Sequence, residues 1–243
     1  MALIAPALFS ADFARLGEAL AAVEAAGVRR LQLEVMDGHF VPDITAGQPV
    51  IRSLRVATAV ELGVHLLVER PERFIADMAR AGADRIAIHA EATPGLHCAL
   101  EQIKAVGPKV GLALNPATSL QVAWESLNQL DDLLILTADA GLGEGKYIAR
   151  TTAKISQAAE ERRRRGLHFN IVAAGGIGLA QVDALVEAGA DILVAGSAVF
   201  NSRDPMAATK ELMARAADQK HTSDGSASEA AAPSRRPLQA LKG

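Results

Sequence analysis

Short apolar runs alternate along the chain with longer stretches in which apolar positions recur every three or four residues, the signature of strands followed by amphipathic helices. Residues 2–8 form the first run, after which Ser10 or Asp12 can cap a helix carrying Phe13, Leu16, Leu20 and Val23 on one face and ending at Gly27. The pattern predicts further strands over 31–36, 60–67, 85–89, 110–114, 133–137, 170–174 and 192–195. Helices are predicted from Pro71 to Met78, over 96–106, around Val122 and Leu127, and over 148–165, 181–186 and 206–216. Eight strand-then-helix units suit a closed (β/α)8 TIM barrel, an α/β fold in a single domain, better than a doubly wound open sheet.

A weak internal repeat agrees. Ala25-Ala26-Gly27-Val28, Ala81-Gly82-Ala83-Asp84 and Ala188-Gly189-Ala190-Asp191 each fall where a helix should end and a strand begin, and glycine suits the left-handed turn that closes a helix. The barrel is assigned to residues 1–216. From 217 to 243 the composition shifts to Ser, Asp, Gly and Pro with little to bury, so this stretch is expected to be a disordered tail, with Leu238 and Leu241 as its only candidate partner contacts.

Of 243 residues, 50% are hydrophobic and only 3% aromatic, so the core must be built from Ala, Val, Ile and Leu. A net charge of −3 gives no basic footprint for nucleic acid. Cys98 is the only cysteine, which excludes a disulfide framework, and the apolar opening is too short for a membrane span. The expectation is a cytoplasmic protein that engages neither nucleic acid nor membrane.

In such a barrel the chemistry lies at the carboxyl ends of the strands and in the loops that follow. That rule selects Ser10 after the first strand, Glu34, Asp37 and His39 around the end of the second, then His65, His89, Asn115, Thr137 and Asp139. His89 and Asn115 are equally readable as satisfied structural residues. The clearest local signal is for phosphate: Gly175-Gly176 and Gly196-Ser197 follow strands seven and eight, where small residues let backbone N–H groups approach an anion. A third glycine loop, Gly141-Leu142-Gly143-Glu144-Gly145-Lys146, follows strand six and can close over the same group; it lacks the spacing of a nucleotide loop. Plain tight turns are the competing explanation. The run Glu160-Glu161-Arg162-Arg163-Arg164-Arg165 reads as the solvated end of a helix.

Several of these strings resemble the ribulose-phosphate 3-epimerase family. They are Ala5-Pro6-Ala7-Leu8-Phe9-Ser10-Ala11-Asp12-Phe13, Val35-Met36-Asp37-Gly38-His39-Phe40-Val41-Pro42-Asp43, Val64-His65-Leu66, Asn115-Pro116-Ala117-Thr118 and Val194-Ala195-Gly196-Ser197-Ala198-Val199-Phe200. The resemblance runs in order from Ala5 to about Leu212. It implies a (β/α)8 barrel of carbohydrate (pentose phosphate) metabolism that acts on a ketose phosphate, commonly as a homo-oligomer. It also implies a divalent metal held by two histidines and two aspartates, the aspartates exchanging protons with opposite faces of the sugar carbon.

Carried over residue by residue, that set is altered. The family's His-x-Asp falls on Gln32-Leu33-Glu34, its second histidine on His65, and its Asp-Gly-Gly on Ala174-Gly175-Gly176. Glu34 and His65 are the remaining candidate ligands, and two ligands seldom hold a catalytic metal tightly. No tightly bound cofactor is therefore expected, and a divalent metal only through the resemblance. Glu34, His65 and Asp37 are the candidate catalytic residues, with Asp37 or Asp139 the source of a second proton. Ser10, Gly141, Leu142, Gly143, Gly175, Gly176, Gly196 and Ser197 are the candidate phosphate contacts. Two readings stay open: epimerisation or isomerisation of a ketose phosphate without the ordinary metal-dependent machinery, or a catalytically silent phosphosugar-binding or regulatory relative.

Overall fold

Strand pairing closes the predicted barrel. The computed structural model describes residues 2–141 and 145–225. Its strands are β1 (Leu3–Pro6), β2 (Arg30–Met36), β3 (Glu61–Leu67), β4 (Arg85–His89), β5 (Lys109–Leu114), β6 (Asp132–Leu136), β7 (Asn170–Ala174) and β8 (Ile192–Ala195). All pair in parallel in the order β1-β8-β7-β6-β5-β4-β3-β2. A parallel bridge from Ala7 to Gln32 brings the two remaining edges together. The helices are α1 (Leu16–Ala25), α2 (Gln48–Ala57), α3 (Ile75–Ala81), α4 (Leu96–Val106), α5 (Thr151–Arg165), α6 (Leu179–Glu187), α7 (Ser197–Phe200) and α8 (Pro205–Gly225). Among the described residues no helix is long and apolar enough to cross a membrane.

The repeat found in the sequence has a mechanical role. Gly27, Gly82 and Gly189 all take positive φ (+89°, +108° and +98°), the conformation that lets the chain turn from helix to strand. The aspartate that follows two of these turns then captures the strand before it. Asp84 Oδ2 accepts from the Leu62 N–H at 2.7 Å, and Asp191 Oδ2 from the Ile171 N–H at 2.8 Å. Asp131 does the same for Val110 at 2.8 Å. Each carboxylate satisfies a strand-initial donor and so fixes register at the amino ends of the strands.

Two apolar layers follow from the alternation of side chains along the strands. The larger lies between barrel and helices, where Leu31, Leu33, Ile86, Ile88, Leu112 and Ile135 are fully buried. A smaller cluster fills the barrel itself, with Ala5, Ala87, Ala113, Leu134 and Val172 among its members. Beneath it, at the amino ends of the strands, sits a buried ionic plug. Asp132 pairs with Arg30 at 2.8 Å and Arg85 at 3.1 Å, Arg85 reaches Glu61 at 2.9 Å, and Asn170 donates to Asp132 at 2.9 Å. Polar atoms at this end read as structural, which leaves the opposite mouth for chemistry.

Three elements differ from expectation. The helix expected around Val122 and Leu127 is replaced by two 3-10 turns, Leu120–Ala123 and Leu127–Gln129. Leu120, Ala123 and Leu127 are buried at a helix-like spacing. Ser119 caps the first turn, its hydroxyl accepting from the Gln121 N–H at 3.3 Å, but Ser126 and Asn128 are poor helix formers. Helix α2 has no counterpart in the sequence reading, although Pro49 near its start and buried Ile51 and Leu54 mark it. Helix α8 runs to Gly225, nine residues past Ala216, because Ala217, Asp218, Gln219 and Lys220 contain no breaker. The first part of the stretch assigned to a tail is thus helical; residues 226–243, with Leu238 and Leu241, lie outside the described residues.

Candidate functional site

The carboxyl ends of the strands surround a cavity of about 610 Å³, within the range of small-ligand sites. Its walls differ. On the β2–β3 side Glu34 and His65 stand side by side in register, and His89 on β4 lies directly behind His65. Across the barrel, Leu136 and Ala174 begin an apolar wall that continues through Val194 to Ala7 beside β2. Met36 and Leu67 continue the lining toward the mouth.

Glu34 is buried, and the loss of water raises its carboxyl from 4.5 to about 7 against a smaller pull from the N–H groups of Glu34 itself and Phe9. Its Oε2 atom has no hydrogen-bond partner among the described residues. Burial also drives His65 well below the usual imidazole range, reinforced by neighbouring His89 and opposed by Glu91. Burial thus favours the neutral form of both side chains facing the cavity here.

Behind them runs a continuous hydrogen-bonded chain. His65 Nε2 meets His89 Nε2 at 3.0 Å with the rings stacked 5.0 Å apart, and His89 Nδ1 meets Glu91 Oε2 at 3.0 Å. Glu91 Oε1 accepts from the Asn115 N–H at 2.7 Å and from the Thr118 hydroxyl. Burial alone would raise Glu91, but the bonds from His89, Thr118 and Asn115 hold it down at about 2. Lys154 on α5 fastens the loop beyond, donating to the carbonyls of Asn115 (2.9 Å), Pro116 (2.9 Å) and Thr118 (2.5 Å). The sequence reading singled out His89 and Asn115 without their connection, and missed Glu91 and Lys154. Glu91 lies in the 3-10 turn Ala90–Ala92 just past β4, so strand alternation gave no signal for its contact with His89.

The candidate phosphate contacts converge. Ser10, Gly141, Gly175, Gly176, Gly196 and Ser197 all line the cavity; Leu142 and Gly143, with Glu144, lie outside the described residues. Gly175 and Gly176 take positive φ (+113° and +63°). A methyl group on Gly176 would lie 2.7 Å from the Gly145 carbonyl oxygen and 2.8 Å from Tyr147 N, so glycine here lets the loops after β6 and β7 pack backbone to backbone. Gly196 is likewise needed for the Ser10 side chain to approach. The glycines thus shape the rim as well as exposing its N–H groups. Lys146 is the only Lys or Arg among the described lining residues.

Asp37, expected to be catalytic, does not line the cavity. Its Oδ1 accepts from the N–H groups of His39 (2.8 Å) and Phe40 (3.0 Å), and its Oδ2 from that of Glu69 (2.8 Å). Burial opposes its charge, but these three donors outweigh it and lower the pKa, so Asp37 is a loop-ordering carboxylate. Asp139 does line the cavity, just beyond β6. It is exposed and sits three residues past the end of β6, the strand four positions from β2 in the ring.

The donor set does not fit the metal centre that the resemblance implies. At one inherited position Ala174 offers only a methyl group. At another, Gln32 is absent from the cavity lining; its amide oxygen lies over Gly63 beside Arg30 Nε, below the floor. Only Glu34 and His65 reach the cavity, and no cluster of three or more His, Cys, Asp or Glu side chains suited to a metal occurs among the described residues.

Comparison with known proteins bears directly on this geometry. The profile of the Ribulose-phosphate 3 epimerase family matches residues 3–200. Ribulose-phosphate 3-epimerase of Bacillus subtilis is 40% identical over 212 residues, covering 86% of this chain and 97% of its own. The chloroplastic ribulose-5-phosphate-3-epimerase of Arabidopsis thaliana is 40% identical over 214 residues, covering 87% and 76%. Among solved structures, KGPDC from Streptococcus mutans superposes with a TM-score of 0.65 at 15% identity, over 90% of this chain and 98% of that one. A 3-hexulose-6-phosphate synthase gives 0.61 at 24% identity, over 88% and 99%. The structural likenesses establish the barrel; the extent and identity of the sequence matches establish that this chain belongs to the ribulose-phosphate 3-epimerase family.

Proposed function

We propose that the protein binds a ketose phosphate and moves a proton at the carbon beside its carbonyl, with Glu34 as acid and base. The observation that carries this reading is the Glu34 carboxyl itself: it faces the cavity, and burial sets its pKa at about 7, where it can both take and return a proton near neutral pH. The glycine rim with Lys146 supplies the anchor for a phosphate at the far end of the ligand. A lone carboxylate can withdraw a proton from one carbon and return it on the same face to the adjacent carbon of the enediol, a hydroxyl proton passing between the two oxygens, which gives isomerisation. Inversion needs a second donor on the other face, a role that would fall to Asp139, the other carboxylate among the lining residues.

A second reading is favoured by Ala174. With a methyl group where the family's opposite-face acid should be, the barrel can hold a phosphosugar without turning it over. Incubation with ribulose 5-phosphate in deuterium oxide, with and without added divalent metal, separates these outcomes by NMR. Deuterium entering at C3, lost in Glu34→Gln, supports proton transfer. Formation of the 3-epimer, abolished in Asp139→Asn while exchange persists, supports Asp139 as the second donor. Thermal stabilisation by ribulose 5-phosphate with no exchange overturns the proton-transfer reading in favour of a binding protein.

A further inference from the structure

The chain of contacts behind His65 fixes which of its nitrogens carries hydrogen. Two Nε2 atoms 3.0 Å apart must share one hydrogen, one ring donating and the other accepting. The choice is made at the outer end. Glu91 Oε1 already accepts from the Asn115 N–H and the Thr118 hydroxyl, and its Oε2 faces His89 Nδ1, so a carboxylate there obliges His89 Nδ1 to donate. If the ring carries one hydrogen, its place on Nδ1 leaves Nε2 bare to accept from His65 Nε2–H, whereas a second hydrogen would make Nε2 the donor to His65. In the first case His65 has a bare Nδ1, its one uncommitted ring nitrogen, and His65 lines the cavity.

We infer that Glu91 and His89 are positioning residues that lock His65 as an acceptor, so that the ligand presents a hydroxyl hydrogen to it and not a carbonyl or enediolate oxygen. This deepens the ketose phosphate reading by assigning His65 to a hydroxyl of the substrate; the locking itself does not depend on turnover. The parts beyond serve the same end. Both rings are buried, Phe40 packs on His89 at 4.8 Å between centroids, and the Thr93 hydroxyl donates to the His89 carbonyl at 2.7 Å. Lys154 holds the loop that supplies two of the Glu91 donors. A ring so enclosed cannot flip to exchange its nitrogens without breaking this packing.

The isosteric change Glu91→Gln tests the inference. The backbone N–H of Asn115 can only donate, so the new carboxamide must keep its oxygen at the Oε1 position and place its NH2 against His89 Nδ1. His89 then accepts at Nδ1 and donates from Nε2, and His65 accepts at Nε2 and carries its hydrogen on Nδ1. Two-bond 1H–15N spectra of histidine-labelled protein, with His65 assigned by its loss in His65→Gln, read this directly. In the unmodified protein His65 should show a protonated Nε2 and a bare Nδ1, and Glu91→Gln should exchange the two. The variant should also bind ribulose 5-phosphate about tenfold more weakly, the cost of facing a donor with a donor. A protonated Nδ1 on His65 in the unmodified protein, or an unchanged tautomer in a folded Glu91→Gln variant, overturns the inference. An exchanged tautomer with unchanged affinity overturns the assignment of His65 to the ligand's hydroxyl while leaving the locking intact. Because the spectra need no substrate, absence of turnover would count against the proposed function and not against this mechanism.

Discussion

Glu34→Gln should relieve an instability that appears as the pH rises. In the unfolded chain the carboxyl titrates near 4.5, and in the folded protein burial moves it to about 7. Between these values the unfolded chain has released its proton while the folded protein still holds it, so stability falls with increasing pH across that window and levels off above it. At about 1.4 kcal/mol per pKa unit, the gap amounts to an upper bound of about 3 kcal/mol. For a protein of this size each kcal/mol shifts the melting temperature by roughly 2–4 °C, so the full effect is about 6–12 °C. Glutamine resembles the protonated acid and has nothing to lose. Melting curves of both proteins from pH 4.5 to 9 should therefore start with a constant offset, diverge between about pH 5 and 7 with the variant becoming relatively more stable, and run parallel above pH 8. Glu91 and His65 titrate in both proteins and cancel from the difference. Parallel curves throughout would show that Glu34 is not held neutral by burial. Divergence of the opposite sign would mean that its anion is stabilised in the fold.

Lys154→Met keeps the packing of the aliphatic stem but removes the donor to three carbonyls, so it should cost about 2–3 kcal/mol, read as a fall of roughly 5–10 °C in melting temperature. Elemental analysis of the purified protein should find well under one zinc, iron or manganese per chain. The triple change Gln32→His, Glu34→Asp and Ala174→Asp should raise both metal content and 3-epimerase rate, the latter by about 10²–10⁴. One tightly held metal per unmodified chain, or a folded triple variant with no gain, would show that these positions do not limit the site.

The barrel was legible because parallel strands buried on both faces read as plain apolar runs, and because Gly27, Gly82 and Gly189 mark the turns between helix and strand. The segment 120–129 was misread since its apolar spacing is helical while Ser126 and Asn128 are poor helix formers. At the site, Glu34 and His65 could be placed from strand ends alone. Asp37 lies in the same motif, but which side of a loop a carboxylate faces depends on which N–H groups the loop turns toward it, and here three of them take both its oxygens. The link from His65 to His89 escaped for a different reason. It crosses from β3 to β4, and pairing between strands depends on register that one sequence does not display. The resemblance set Gln32 at a histidine position, but one sequence does not show that its amide oxygen lies over Gly63 and away from the cavity lining.

The division of the cavity into a polar and an apolar wall sets two demands on Glu34 that oppose each other. To withdraw a proton from carbon it must be an anion, and that form grows as the pH passes about 7. To admit a phosphate dianion, the cavity is better neutral, because within it only Lys146 provides cationic charge against Glu34 and Asp139. In a pocket of low effective dielectric the repulsion between ligand and carboxylate is larger than in water. Proton transfer should therefore strengthen and binding weaken as the pH rises through the same window, so kcat and KM increase together while kcat/KM passes through a maximum near neutrality. The Ala174 methyl lightens this conflict: the two acids that the resemblance implies would call for a cation to balance them, whereas a floor with Glu34 as its one acid, largely protonated below about pH 7, can receive a phosphate ester with the glycine rim and Lys146 alone.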